Sequence, residues 1–529
     1  YVVFESAAPE LAPPDSNGAY DVFLHDRATS ITTRVSTGLG GAETDGYSIS
    51  ASICAGADLI VFVSLASNLV PADTNGVTDV FAFDRLSGAR SRISVGPSGV
   101  EGDGYSWAPT VSADGNRIAF TSYSTNLVAA DSNGDADVFV YDRPSGVMVL
   151  ASVSSSGQQA NDWSFLPSLS ADGRYVAFHS QATQLVAGDT NGLWDVFVRD
   201  LANGTTRRVS VNSLGAQMFG PAIARGAWAP TFAADGRFVS FGADGSNLVP
   251  SDSNFSYGGN DAFVHDLWTA STYRASVASS GVEGTGQSDD VTLSADGRVV
   301  AFSSHASNLV AGDTNGAPDV FVHDRMTGET ELVSLTSSGA LSIWGGGQPT
   351  LSANGRVVAF VSLSDDMVPG DTNHRSDIFV RELAPLPVPT ASIYCTSSAN
   401  SLGCLPSIQA TGAASASSGA PYPLTCTQVL NFKPGILFYG LAPDRGVFAF
   451  GLRCVAPPIR RTAAQFSGGA SGPADCSGAY SFDLNAHIQS GIDPALVPGT
   501  IVFAQYWSRD PASVARVSLS DAARVPIGP

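Results

Sequence analysis

The sequence predicts an all-β chain: a seven-bladed β-propeller followed by a small β-sandwich. Three observations carry this expectation. The first is a motif, Asp-Ser/Thr-Asn-Gly-x-x-Asp, that recurs through residues 1–384 and reads in full at Asp15–Asp21, Asp73–Asp79, Asp131–Asp137, Asp189–Asp195 and Asp313–Asp319. Two degenerate copies run from Asp252 to Asp261, lengthened by FSYGG, and from Asp371 to Asp377, where His374 replaces the Gly. The first Asp steps by 58 residues at 73−15, 131−73, 189−131 and 371−313, and by 63 and 61 at 252−189 and 313−252. A fixed period of this size marks a repeat architecture. The second observation is that each unit holds four short β runs bounded by turn residues. The third is composition: 43% hydrophobic and 14% charged residues with 55 Gly and 30 Pro describe a turn-rich globular β chain rather than a disordered one.

The unit beginning at Ala108 shows the elements in order. Strand a is PTVS (109–112), and Asp114-Gly115 then predicts a tight hairpin, read as a type I′ turn. Strand b is RIAFTS (117–122), the loop STNLVAADSNGDA follows, and strand c is DVFVYD (137–142). A second hairpin, DRPSG, places Gly146 where a bulge needs it, before strand d, VMVLASV. Strand b recurs from Tyr1, Leu59, Arg117, Tyr175, Phe238, Val299 and Val357, which counts seven blades; a six-bladed ring is the alternative and leaves one blade over. Strand a is missing before Tyr1 and strand d after Glu382, so the chain reads as a fragment or processed product that begins inside a repeat. The ring would then close through a further amino-terminal strand.

The stretches PTVSADGNRIAF, PSLSADGRYVAF and PTLSANGRVVAF resemble the TolB-type, WD40-like (PD40) propeller repeat, and the resemblance covers residues 1–383. It implies the propeller fold and leaves function open, because such propellers bind, scaffold and occasionally catalyse.

In antiparallel blades the b–c loops and the d-to-a connections emerge on one rim, so all seven Asp loops face the same way. Asp15, Asn17 and Asp21 offer oxygens at positions 1, 3 and 7 around a Gly, as do Asp73, Asn75, Asp79; Asp131, Asn133, Asp137; Asp189, Asn191, Asp195; and Asp313, Asn315, Asp319. Calcium takes six to eight oxygens and uses such Asp/Asn alternation, so these residues are candidate Ca²⁺ ligands. The same residues also suit a structural turn, in which Asp and Asn bond their own backbone. Both readings stand at this point.

The segments leading into strand a carry Tyr105 with Trp107, Trp163 with Phe165, Trp228 and Trp344, placed near the central opening. Aromatic rings there are candidates for stacking on a glycan or protein ligand, or for packing between blades. The long segment SLGAQMFGPAIARGAWA before Pro230 is the expected place for a specific contact. His25, His265 and His323 occupy equivalent strand-c positions in different blades and are expected to pack rather than share a metal. No GxSxG or HExxH motif occurs, and no one carboxylate pair stands out as a glycosidase pair.

The repeat stops at Glu382 and a Pro-rich linker follows at 385–391. Residues 392–529 read as short β runs holding five of the six Cys, with 395–404 and 454–476 the expected disulfides. Arg460, Arg461 and Arg509 are expected in ion pairs, with Asp510 as a partner. YCTSSANSLGC, KPGILFYG, CVAPPIRRT and DCSGAYSFDLNAH resemble a β-rich domain at the carboxy terminus of secreted planctomycete-type bacterial proteins. That resemblance implies a secreted or cell-surface protein.

A net charge of −21 disfavours nucleic acid and anionic membrane as partners. No run of 18 apolar residues spans a bilayer. The expectation is a secreted propeller that binds protein or glycan, with possible self-assembly and calcium stabilisation. The alternatives are a carbohydrate-active hydrolase or lyase with its site at the propeller mouth, and a structural component of an extracellular fibre or matrix.

Overall fold

The computed structural model describes the chain except residues 13–14, 221–223, 235, 250–251, 255–258, 269, 385–391, 395–396, 398, 411, 442, 449–450, 456–458, 472, 514–515 and 529. The proposed linker 385–391 therefore lies outside the described residues. The chain divides into two compact units, Tyr1–Ala384 and Pro385–Pro529.

In the first unit the apolar runs of strands b and c form the centre of seven antiparallel sheets. Blade four is typical: strand a (Ser164–Leu169), b (Tyr175–Ser180), c (Asp195–Asp200) and d (Thr205–Arg208) pair in that order. Strands b and c are buried almost throughout because each blade is covered on both faces, so they read as continuous hydrophobic runs rather than alternating ones. Phe178 of strand b lies opposite Phe197 of strand c, with ring centroids 5.9 Å apart. The same pair recurs as Phe62–Phe81, Phe120–Phe139, Phe241–Phe263 and Phe302–Phe321. Each such ring is fully buried and stabilises the unit by roughly 1.5–3 kcal/mol.

Blades two to six have four strands, while among the described residues the first sheet holds strands b, c and d and the seventh holds a, b and c. Seven sheets rule out the six-bladed alternative. Arg27 of the first blade donates to Glu382 of the seventh at 2.7 Å, so the two ends of the repeat meet in a ring. That seam is thin. Ile378 and Val380 of the last strand c are 39% and 38% exposed, whereas their counterparts in blade three, Val138 and Val140, are buried.

Two local expectations are corrected. The Asp-Gly hairpin is not type I′, because only Gly115 of the pair has positive φ (71°), and the Gly115 N–H bonds Ser112 O at 2.9 Å. Asp114 instead stays on the ordinary side of φ and accepts from Ser112 Oγ and the Asn116 N–H, a turn closed by a left-handed Gly. Strand a also starts earlier than read, at Ser106 rather than 109, because a β-bulge shifts its register between Trp107 and Thr110. The bulge recurs in blades two to seven, and its residue has positive φ in each: Ser50, Ala108, Leu166, Ala229, Asp290 and Gln348. Non-glycine residues held this way re-aim their side chains, and here they do so on the innermost strand.

The second unit packs a seven-stranded sheet on a three-stranded one around a shared core that includes Ile408, Leu424, Leu437, Val502, Tyr506 and Val525. This is a sandwich carrying one short helix, Leu484–Gln489, capped by Asp483. The expected disulfides are corrected: Cys404 pairs with Cys476 across 72 residues. Cys454 is also disulfide-bonded, while Cys54 and Cys426 are free and buried. Folding of the sandwich, not nearness along the chain, decides which thiols meet. Arg460 pairs with Asp493 at 2.5 Å rather than with Asp510, whose carboxylate accepts from the Ser401 N–H.

Candidate functional site

The repeated loop shows how its residues are used. In blade two the Asn75 side-chain oxygen accepts from the Val77 N–H at 3.1 Å, and its amide donates to Asp79 and to Gly102 O. Asn17, Asn133, Asn191 and Asn315 make the same turn bond, to residues 19, 135, 193 and 317. In blades one to six the second Asp is buried and accepts from a strand-d serine, as in Ser36 to Asp21, Ser152 to Asp137, Ser276 to Asp261 and Ser334 to Asp319, each at 2.5 Å. His374 takes the Gly conformation of its copy, at φ 53° beside 66–72° for Gly18, Gly76, Gly134, Gly192 and Gly316.

A residue the sequence reading missed lies against the two carboxylates. Arg92 reaches Asp73 at 3.1 Å, Asp79 at 3.3 Å and Glu101 at 3.2 Å. Arg208 reaches Asp189 and Asp195 at 3.0 Å each. Arg34 and Arg274 do the same with Asp15, Asp21 and Glu43, and with Asp252, Asp261 and Glu283. Spacing could have revealed it, since each Arg falls 13 residues after the second Asp. Blade three has Leu150 at this position, and Gln159 donates to Asp131 and Asp137 at 2.8 Å each. Blade six has Leu332 there and Leu341 at the Glu position, so among the described residues no basic side chain bridges Asp313 and Asp319. Burial raises the carboxyls of Asp73, Asp137 and Asp261 to about 6 and of Asp252 to about 7; at Asp73, Asp252 and Asp261 the adjacent guanidinium opposes the rise.

The Glu side chains also tie the d-to-a connection to the b–c loop, since Glu43 accepts from the Asn17 N–H and Glu101 from the Thr74 N–H. The two sets of loops thus share one rim.

Inside that rim the regularity fails in blades four to six. From blade two to blade seven, strand a of one blade packs against strand a of the next and so lines the axis. At equivalent strand-a positions stand Ile49, Trp107, Phe165, Trp228, Asp289 and Gly347. Trp107, Phe165 and Trp194 form a chain of rings at 5.8 and 5.6 Å centroid separations. Trp228 is admitted by Gly242, where a Cβ would lie 2.9 Å from the indole nitrogen.

Two clefts meet at Trp228. One, of about 330 Å³, is lined by His179, Gln181, Trp194, Ala224, Arg225 and Trp228. The other, of about 410 Å³, is lined on its polar side by Gln287, Asp289, Asp290, Ser303 and His305. Burial holds the Asp289 carboxyl above its ordinary range; hydrogen bonds from Asn260 and Trp228 oppose this, and the Asp290 charge adds to it. Burial pushes His179 down to about 4.

The predicted aromatics therefore divide. Trp107 packs between blades and Trp228 faces the clefts, while Tyr105, Trp163 and Trp344 are exposed, Trp344 by 63%. Ala224 and Arg225, from the long segment before Pro230, join the first cleft. His25, His265 and His323 each bond a strand-d Thr of their own blade at 2.9 Å. His179, Trp194, Arg225, Asp289, Asp290 and His305 were missed. Their signal is departure from the repeat, as in SDD at 288–290 where blade three has SWA.

No family model matches the chain, and no curated protein matches it. Among solved structures, TolB from Acinetobacter baumannii is similar at 16% identity and TM-score 0.34, over 59% of this chain and 58% of TolB. An oligogalacturonate lyase in complex with manganese is similar at 12% identity and TM-score 0.42, over 70% of this chain and 84% of the lyase. A prolyl endopeptidase is similar at 10% identity and TM-score 0.41, over 77% of this chain and 51% of the peptidase. The chain thus spans less than two thirds of TolB. Such likenesses carry nothing about activity, and the fold rests on blade count and strand order. The class defined is a repeat β-propeller whose axial mouth is specialised on one side.

Proposed function

We propose that the protein is an extracytoplasmic binding module that seats a glycan across Trp228 at the mouth of blades four to six. The observation that carries this is the meeting of two clefts at one indole, walled by aromatic rings and edged by Arg225, Gln181, Gln287, Asp289 and Asp290. Aromatic faces with a few placed polar groups suit a ring that is apolar on its faces and hydroxylated at its edge. The Cys404–Cys476 disulfide supports an oxidising compartment. No helix among the described residues is long and apolar enough to cross a membrane.

A glycan array probed with the whole chain tests the reading, followed by calorimetry of the retained sugar with the W228A variant. Retention without turnover, lost in W228A, is expected. Retention unaffected by W228A, or none, overturns the placement at Trp228. Sugar turnover would favour the hydrolase or lyase alternative, with Asp289 and Asp290 the carboxylates at the mouth.

Calcium stabilisation is favoured by the Asp313–Asp319 pair of blade six, which has neither the arginine of blades one, two, four and five nor the glutamine of blade three. Thermal unfolding with calcium and then with EGTA tests it, and an unchanged midpoint overturns it.

A further inference from the structure

Arg225 differs from the arginines that bridge the loop carboxylates of blades one, two, four and five. Its main chain is fixed on both sides: its N–H donates to Asp244 at 2.7 Å and its carbonyl accepts from the Trp194 N–H at 3.0 Å. Its side chain is exposed on the cleft and has no carboxylate within ion-pair distance among the described residues. A guanidinium at a cleft without a counter-ion among the described residues is a feature to explain in a chain of net charge −21.

His179 lines the same cleft and is 7% exposed. Its Nδ1 is buried with no hydrogen-bond partner, although it could accept one bond or donate one. An orphaned N–H there would be the costlier choice, so the proton belongs on Nε2, and the imidazole presents that N–H on its other side. The ring is held between Trp194, at 5.1 Å and edge-on, and Phe165, at 5.9 Å. It is neutral at pH 7 because burial disfavours its charged form. The cleft on this side therefore offers one full positive charge and one neutral donor. Across Trp228 the other cleft offers Asp289 and Asp290.

We infer that the cleft between blades four and five is an anion subsite, in which Arg225 and the His179 N–H receive one carboxylate, sulfate or phosphate group of a ligand whose ring lies against Trp228. Asp289 and Asp290 repel a second negative charge from the neighbouring cleft, so the ligand carries its charge at one end. A bidentate guanidinium contact suits any of these three planar or tetrahedral oxyanions. The inference rests on the placement of a sugar at Trp228 and narrows its class to an acidic glycan.

Calorimetry on the whole chain with methyl glucoside, glucuronate, glucose 6-sulfate and glucose 6-phosphate tests it and distinguishes the anions. At least tenfold tighter binding of one acidic sugar than of the neutral one is expected. The R225A variant, altered only at an exposed side chain, should lose that preference. Equal binding of neutral and acidic sugars, or a preference that survives in R225A, overturns the subsite. Should no sugar bind, the glycan reading fails by itself. A sulfate titration that shifts the His179 ring resonances in the parent chain and not in R225A would then still support the anion subsite. Absence of that shift overturns it.

Discussion

The outer loops of the propeller and the inner mouth of blades four to six share one rim but follow opposite rules. In the loops, residues repeat and pair with one another: the Asn caps its own turn, the second Asp takes a strand-d serine in blades one to six, and an arginine or a glutamine amide answers the carboxylates in blades one to five. At the mouth, equivalent positions hold Trp107, Phe165, Trp228 and Asp289, and two of the polar groups, Arg225 and the Nδ1 of His179, lack protein partners among the described residues. The difference teaches that repetition here serves the architecture. Where repetition lapses, aromatic rings and polar side chains line two clefts, which is the arrangement a ligand completes.

The largest expected effect breaks the loop side. Replacing Arg92 with Leu leaves Asp73, Asp79 and Glu101 together without their cation, and removing one partner of a buried ion pair costs about 3–5 kcal/mol. Urea unfolding should show that loss. A cost below about 1 kcal/mol would mean that the loops do not need the guanidinium.

On the mouth side, W228A should weaken binding of a retained glycan by tenfold or more, about 1.4 kcal/mol, while the unfolding midpoint changes little. A large fall in midpoint with unchanged affinity would recast Trp228 as a packing residue.

A gentler variant sharpens the comparison between blades. R208L turns the blade-four set of Asp189, Asp195 and Gln217 into the blade-three set of Asp131, Asp137 and Gln159 beside Leu150. Because Gln159 alone serves both carboxylates in blade three, R208L should cost only about 1 kcal/mol, one net hydrogen bond's worth. An equal cost for R208L and R92L would show that the amide is no substitute.

The loop carboxyls also set a pH dependence. Asp73, Asp137, Asp252 and Asp261 are raised in the folded chain, so between about pH 4 and pH 7 the native state holds more protons than the unfolded one. Stability falls as pH rises through that window. Below it, Glu43 and Asp200, lowered to about 2, lose their stabilising charge, so stability falls again in acid. Thermal scans should peak at mildly acidic pH, and a monotonic rise to pH 8 would contradict these shifts.

The smallest effect concerns the seventh loop. H374G relieves a non-glycine residue at φ 53° and should stabilise by about 0.5 kcal/mol, readable as a small rise in midpoint.

Much of the fold was legible because a propeller is built from local signals. Turn residues at fixed offsets, apolar b and c runs and the 58-residue step count blades without any long-range information. Chain order alone also foretold a first sheet of strands b, c and d. The turn type was misread because Asp-Gly suits several turns, and only backbone geometry distinguishes them. The candidate site was legible in part. Trp228 and the long segment before it stood out by type and length, whereas Arg92, His179 and Asp289 looked like ordinary strand residues.

By itself, then, the sequence determined a repeat of antiparallel blades, a shared rim of Asp loops and a separate β-rich carboxy-terminal unit. These follow from periodicity and turn chemistry within short windows. Only the tertiary structure decided that an arginine spaced 13 residues on bridges the loop carboxylates, that Cys404 meets Cys476, and that His179, Arg225, Trp228 and Asp289 converge. Each is a meeting of residues from different strands or blades, and tertiary packing, not the chain's local preference, brings such residues together.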